Sequence, residues 1–180
     1  ETKITEYRIT RDHTEIMLKS FGANIEIKKE DNKKILKIIG QQELDSKNID
    51  VPNDLSSSAF FIVSALINKN SDIILKNINI NPTRNGIILA LKKMGGNILI
   101  RNQRLNNYEI VCDIEVTSSF LKGCELGAEF ADLMIDEYPI LAIAAAFADS
   151  PSIFKGLNEL RVKESDRLNL ILLNLQNCGV

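Results

Sequence analysis

The chain has 180 residues, 44% of them hydrophobic and 26% charged, with a formal net charge of −2 at pH 7. That composition fits a globular protein able to bury a core; it carries no basic stripe for nucleic acid and no apolar run near the roughly 20 residues that cross a bilayer. Three cysteines without a C-x-x-C pair and a single histidine give no disulfide frame and no zinc site, and fit a reducing cytoplasm.

The opening ETKITEYRIT has neither the basic start nor the apolar stretch of a signal peptide and no initiator Met, so the chain is expected to start inside a longer one. From Thr10, TRDHTEIMLKSFG predicts a helix ended by Gly22. NIEIKK and KKILKIIG then predict paired strands, with the polar residues between them, Asp31 and Asn32 included, as the turn. The polar, Pro-containing stretch GQQELDSKNIDVP from Gly40 marks a boundary: residues 1–45 are read as the end of one domain and 46–180 as an incomplete second one.

DLSSSAFFIVSALIN from Asp54 predicts a helix and SDIILKNINI a strand. TRNGIILALKKMGG predicts a second helix, and NILIRN and NYEIVCDIEV paired strands joined by a polar turn. In DEYPILAIAAAFAD, Pro139 suits a first helical turn, and the run behind it is apolar on all faces, as in a buried helix. PSIFKG leads into SDRLNLILLNLQNCGV, a last helix with Ser165 as its expected N-cap.

These elements repeat. Each of the helices beginning near Arg11, Arg84 and Arg167 has an Arg at its start and a Gly at its end, and the separations are equal in the first two and one residue longer in the third. Asp54 precedes Arg84 by nearly the same distance as Asp136 precedes Arg167. The unit is helix, strand, helix, strand, strand, and Gly179 and Val180 leave the last copy without its paired strands.

ELRVKESDRL, residues 159 to 168, crowds Lys163, Glu164, Asp166 and Arg167 around a helix start, where free backbone N–H groups and the dipole favour an anion. Lys and Arg would grip phosphate or carboxylate, and a Glu held against that anion would tend to keep its proton and donate it. Asp136 and Glu137 sit at the mouth of the preceding helix, where capping explains acidic residues as well as chemistry does. Arg84 is read as satisfying backbone or a carboxylate, His13 as a surface or cap residue, Ser56 to Ala59 as small residues for close helix packing in preference to lining a ligand, and the cysteines as inert core.

The strings TRDHTE, VPNDLSSSAFF, NPTRNG, MIDEYPILAIAAAFA and LRVKESDRL resemble, in order and spacing, landmarks of the 5-enolpyruvylshikimate-3-phosphate synthase family, in the bacterial form that has both DEYP and RVKESDR. The resemblance implies an α/β (α+β) fold: an enolpyruvyl transferase-like inside-out α/β barrel of repeated helix-strand-helix-strand-strand units, incomplete in this chain. It implies transfer of the enolpyruvyl group of phosphoenolpyruvate to the 5-hydroxyl of shikimate 3-phosphate, with release of phosphate, in a cytoplasmic, monomeric parent protein without metal or organic cofactor. By the family pattern Asp136 is the base at the shikimate hydroxyl and Glu164 exchanges the proton at the methylene carbon. Lys163 contacts shikimate 3-phosphate or the reacting oxygens, Arg167 binds phosphoenolpyruvate, and Arg11 reaches the shikimate phosphate from the other domain.

Further anion-binding residues of the family are expected before Glu1 and after Val180, so the 180 residues alone are expected to be inactive. Two alternatives stand beside this reading: the sister enolpyruvyl transferase acting on UDP-N-acetylglucosamine, against which RVKESDRL argues, and a non-catalytic binding remnant of the same fold.

Overall fold

One βαββ module occurs twice in succession. In the computed structural model, which describes residues 1–8, 10–30 and 33–180, the first copy is β1 (Thr2–Glu6), α1 (His13–Ser20), β2 (Ile25–Glu30) and β3 (Lys33–Ile38). The helix α2 (Leu55–Ile67) leads into the second copy: β4 (Asp72–Asn79), α3 (Gly86–Lys93), β5 (Asn97–Asn106) and β6 (Glu109–Thr117). Both copies make an antiparallel three-stranded sheet in which the last strand lies in the middle, in the orders β1-β3-β2 and β4-β6-β5. Even the register repeats: Ile38 sits between Thr2 and Ile25 as Thr117 sits between Asp72 and Asn97.

After β6 come β7 (Glu125–Leu126), α4 (Glu129–Met134), α5 (Tyr138–Ala146), β8 (Ile153–Phe154), a 3-10 turn at Asn158–Arg161 and α6 (Arg167–Asn177). β7 and β8 pair in parallel. The helices α1, α3 and α6 end alike. Gly22, Gly95 and Gly179 all take φ near +85° (88, 86 and 83°). In each, the Gly N–H and the N–H after it reach back to two carbonyls of the last turn, as in Ala23 to Leu18, Gly96 to Leu91 and Val180 to Leu175. This doubly bonded left-handed cap explains the repeated glycine.

The main core lies between α2, α3, α5 and the sheet β4-β6-β5, with Ile62, Leu66, Ile87, Leu91, Ile114 and Leu141 fully buried. α3 approaches α4 so closely that a Cβ on Gly86 would stand 2.8 Å from that of Leu133, which excludes any larger residue there without a shift. The first module has its own small interior around Ile25 and Leu36. Beside it Lys34 is buried between Glu15 at 2.6 Å and Glu6 at 2.8 Å. Burial alone would lower the Lys34 pKa, but these two carboxylates overcome it and raise it.

Several expectations need correction. β5 runs on to Asn106, and the chain reverses at Asn107 and Tyr108, both at positive φ (48 and 68°), as a two-residue hairpin turn requires. α5 is buried only along Tyr138, Leu141 and Ala144, because its opposite face, with Ile140 and Ile143, opens onto a groove beside α6. Asp166, not Ser165, caps α6, accepting from the Asn169 N–H at 3.0 Å. Cys112 is buried and its thiol pushed up to about 11 by burial, but Cys178 is exposed at the end of α6. β1, β7 and α4 were not foreseen, and the turn expected at Asp31 and Asn32 lies outside the described residues.

Candidate active site

The charged residues of the first module and of the α5–α6 region meet at Asp136. This residue lies in the short connection between α4 and α5 and is partly exposed. Arg11 donates from Nη2 to Asp136 Oδ2 at 2.7 Å, and Arg167, the first residue of α6, donates from Nη1 to Oδ1 at 3.0 Å. The other terminal nitrogen of Arg167 reaches Glu164 Oε2 at 2.7 Å. One chain of contacts therefore runs Arg11, Asp136, Arg167, Glu164. Lys163 lines the same open cleft of about 330 Å³ with Thr10, Arg11, Asp132 and Asp136, and its ammonium rests on Glu159 at 2.5 Å.

Local structure holds each member. Arg11 precedes Asp12 and His13, which tie the start of α1 to the second module. The buried Asn81 donates to Asp12 at 2.7 Å and to Glu109 at 3.3 Å, and His13 Nδ1 meets Glu109 at 2.5 Å. His13 is thus an anchoring residue rather than a free surface one. Arg167 is placed by the cap of α6, where Asp166 also takes Arg161 at 3.1 Å. The expected crowding at this helix start is present, and Asp166 makes the cap while Lys163, Glu164 and Arg167 remain for other work.

Both central carboxyls are held below their ordinary range. The hydrogen bond from Arg11 lowers Asp136 most, with Arg167 adding to it against the opposing pull of partial burial. Glu164, 78% exposed, is lowered by its own backbone N–H and then by Arg167. Both are therefore anions at neutral pH in this arrangement. The expectation that Glu164 keeps a proton was made for a carboxyl held against a bound anion, whereas its neighbour in this arrangement is the Arg167 guanidinium.

Glu137 contrasts with Asp136. It stands at the start of α5, yet neither carboxyl caps the helix. Glu137 is only 3% exposed and accepts a hydrogen bond from the Ser56 hydroxyl. Ser56 in turn accepts from Arg84 Nη2 at 2.5 Å, and Arg84 also approaches Asp54 at 3.4 Å. Burial raises the Glu137 pKa, against the pull of Ser56 and Arg84. Sequence reading left Glu137 as a possible cap and Ser56 as a packing residue. The matched Asp54–Arg84 and Asp136–Arg167 separations were the available signal that two helix starts lie side by side.

Chemically, the cleft carries Arg11 and Lys163 beside Asp132, Asp136 and Glu159, with Arg167 and Glu164 joined to it through Asp136, and each guanidinium is seated on a carboxylate that an incoming phosphate or carboxylate can replace. No cluster of three or more His, Cys, Asp or Glu side chains suited to a metal ion occurs among the described residues.

A modular α/β fold with cations seated on carboxylates at one cleft offers the kind of site that holds anions, and comparison with known proteins narrows the family. The sequence profile of the EPSP synthase (3-phosphoshikimate 1-carboxyvinyltransferase) family matches residues 1–180, and the chain belongs to that family. It is 47% identical to a 3-phosphoshikimate 1-carboxyvinyltransferase of Brucella canis over 99% of this chain and 40% of the relative, and equally so to one from an Achromobacter species. The structure of EPSP synthase from Acinetobacter baumannii superposes with a TM-score of 0.88 at 43% identity, covering 97% of this chain and 39% of that one. The enolpyruvyl transferase NikO from Streptomyces tendae, at 18% identity and a TM-score of 0.50 over 86% of this chain, shares the fold. The chain thus spans about 40% of the length of the curated relatives it matches. The expected repeated α/β architecture of the enolpyruvyl transferases is borne out.

Proposed function

We propose that this chain supplies one wall of a site that transfers the enolpyruvyl group of phosphoenolpyruvate to the 5-hydroxyl of shikimate 3-phosphate, releasing phosphate. The observation that carries the reading is Asp136 held between Arg11 and Arg167, with Glu164 on the far side of Arg167. In this reading residues 1–45 close one domain and 46–180 belong to a second. The separate interior of the first module around Ile25 and Leu36 supports that division.

The ion pairs suggest how substrates enter. Arg11 exchanges Asp136 for the phosphate of shikimate 3-phosphate, and Arg167 exchanges Glu164 and Asp136 for an anionic group of phosphoenolpyruvate. Each exchange strips a cation from a carboxylate and places an anion nearby, so the pKa of both carboxyls rises. Asp136, freed beside the 5-hydroxyl, takes its proton as the oxygen attacks C2 of phosphoenolpyruvate. Glu164, having gained a proton, gives it to C3, which becomes a methyl group, and Lys163 steadies the charge on the oxygens. The tetrahedral adduct then loses phosphate from C2, and Glu164 takes back a methyl proton to restore the double bond. Localisation in the cytoplasm and a monomeric parent belong to the same proposal. Among the described residues no helix is long and apolar enough to cross a membrane.

The test is to graft the 180 residues into the corresponding stretch of the Brucella canis relative and follow phosphate release from phosphoenolpyruvate. Release that requires shikimate 3-phosphate supports the reading; release that requires UDP-N-acetylglucosamine, or none from a folded graft, sinks it. The isolated chain is expected to show no turnover with either acceptor, and turnover at rates normal for an enzyme would refute the assignment of essential groups to other segments.

A further inference from the structure

We infer that Glu137 is a positioning residue for Asp136: its inward-facing hydrogen bond to Ser56, backed by Arg84, fixes the α4–α5 connection so that Asp136 is presented between Arg11 and Arg167. The inference rests on the reading of Asp136 as the base and adds a residue that does not itself reach the cleft.

The geometry is that of a peptide held from both sides. Asp136 and Glu137 are adjacent, yet one carboxyl points into the cleft and the other is buried against α2. Arg84 carries only donors, so the Ser56 oxygen must accept from it, and the Ser56 hydroxyl proton is left pointing at Glu137. The relay from Arg84 through Ser56 to Glu137 therefore has one direction, and it locks the rotamer of Glu137. Arg84 is itself braced: its backbone N–H donates to the Asn81 carbonyl at 2.9 Å, and its side chain approaches Asp54. The charged groups that act on Glu137 are Arg84 on the inner side and Asp136 and Arg11 on the cleft side. A buried carboxyl is costly unless it is bonded, so its place here calls for a role that capping does not supply.

Site-specific carboxyl 13C NMR on the 180-residue chain tests this through the titration of Asp136. Electrostatics and positioning predict different outcomes. Glu137, with its raised pKa, is already protonated where Asp136 titrates, so its replacement by Ala would by itself leave the Asp136 midpoint in place. Loss of positioning loosens Arg11 and Arg167 and raises it toward the ordinary Asp range. The expected result is a rise in Glu137→Ala and in Ser56→Ala, with no rise in Glu137→Gln, whose amide oxygen still accepts from Ser56. A midpoint that stays or falls in folded Glu137→Ala overturns the inference, as does a rise of equal size in Glu137→Gln. Should Glu137→Ala fail to fold, Ser56→Ala decides alone by the same signs. In the graft, Glu137→Ala is expected to lower kcat by about tenfold or more with less effect on KM, while Glu137→Gln retains most of the rate. An inactive parent graft would count against the proposed reaction, whereas the NMR titration judges the positioning role without turnover.

Discussion

Asp54 with Arg84 and Asp136 with Arg167 stand at nearly equal separations in successive repeats, Asp54 at the N-cap of α2 and Asp136 one residue before that of α5, and the structure uses them differently. Asp54 is committed to its helix: Oδ2 accepts from the Ser57 N–H and hydroxyl, both at 2.8 Å, and Oδ1 has Arg84 at 3.4 Å. Asp136 makes no cap, and its two oxygens face Arg167 at 3.0 Å and Arg11 at 2.7 Å. The difference arises from what surrounds each pair. Arg84 is drawn inward by Ser56, whereas Arg167 has Glu164 beside it on an exposed helix start and Arg11 arriving from the first module. Repetition fixes where an Asp and an Arg will stand; the third partner decides whether they hold the fold together or face a substrate.

Exchanging one member of each pair should separate these uses most sharply. In the graft, Asp136→Asn is expected to reduce phosphate release by roughly 10²- to 10⁴-fold, the range for loss of a general base. Asp54→Asn, which retains a good N-cap, is expected to keep turnover within a few-fold. Steady-state phosphate release from both variants checks the contrast. Equal losses from the two would mean that Asp54 and Asp136 are not functionally distinct and would remove Asp136 from the base's role.

Stability should show the reverse ranking. In the 180-residue chain Asp54→Ala removes a helix cap and is expected to cost about 1 kcal/mol, while Asp136→Ala, which removes solvent-screened ion pairs, is expected to cost less. The Asp54 pKa is lowered even though burial, the largest influence, pulls it up; the Ser57 hydrogen bonds and Arg84 together outweigh it. A depressed folded pKa means that the contribution is present above the unfolded value of 3.8 and is lost as pH falls through the folded value. The penalty of Asp54→Ala in urea unfolding should therefore shrink as the pH is taken below that range. A penalty constant down to strongly acid pH would show that the carboxylate's charge contributes nothing to the cap.

Much of this organisation was legible in the sequence. Helical periodicity and β-branched alternation placed α1, α2, α3, α5 and α6, and the repeated Arg and Gly marked the three equivalent helices. Arg11, Asp136, Lys163, Glu164 and Arg167 were marked by charge at helix starts and by resemblance, and all five line one cleft or its ion-pair chain. The inward turn of Glu137 was not legible, because two adjacent acids at a helix start look alike until side-chain directions are known. The open face of α5 was missed for a related reason: an all-apolar helix reads as buried, but burial depends on how many elements pack around it. The extension of β5 to Asn106 was hidden by its polar residues, which lie along an exposed strand and not in a turn.

The smallest expected effect tests the inner side of the Asp136–Glu137 contrast. Glu137 is buried with its pKa raised, so within the window above the ordinary Glu value of 4.5 the folded chain binds more protons than the unfolded one. Stability is then lost as pH rises through that window, the opposite sense to Asp54 and Asp136. Glu137→Gln removes the charge while leaving an acceptor for Ser56, so it should raise the melting temperature of the chain near neutral pH. The gain should vanish below the ordinary Glu range, where the parent carboxyl is protonated in both states. Thermal unfolding at neutral and at acid pH measures the difference. A Gln variant less stable than the parent at neutral pH would mean that the Arg84 and Ser56 contacts outweigh the cost of burying the charge, leaving Glu137 a net stabiliser of the same connection that presents Asp136.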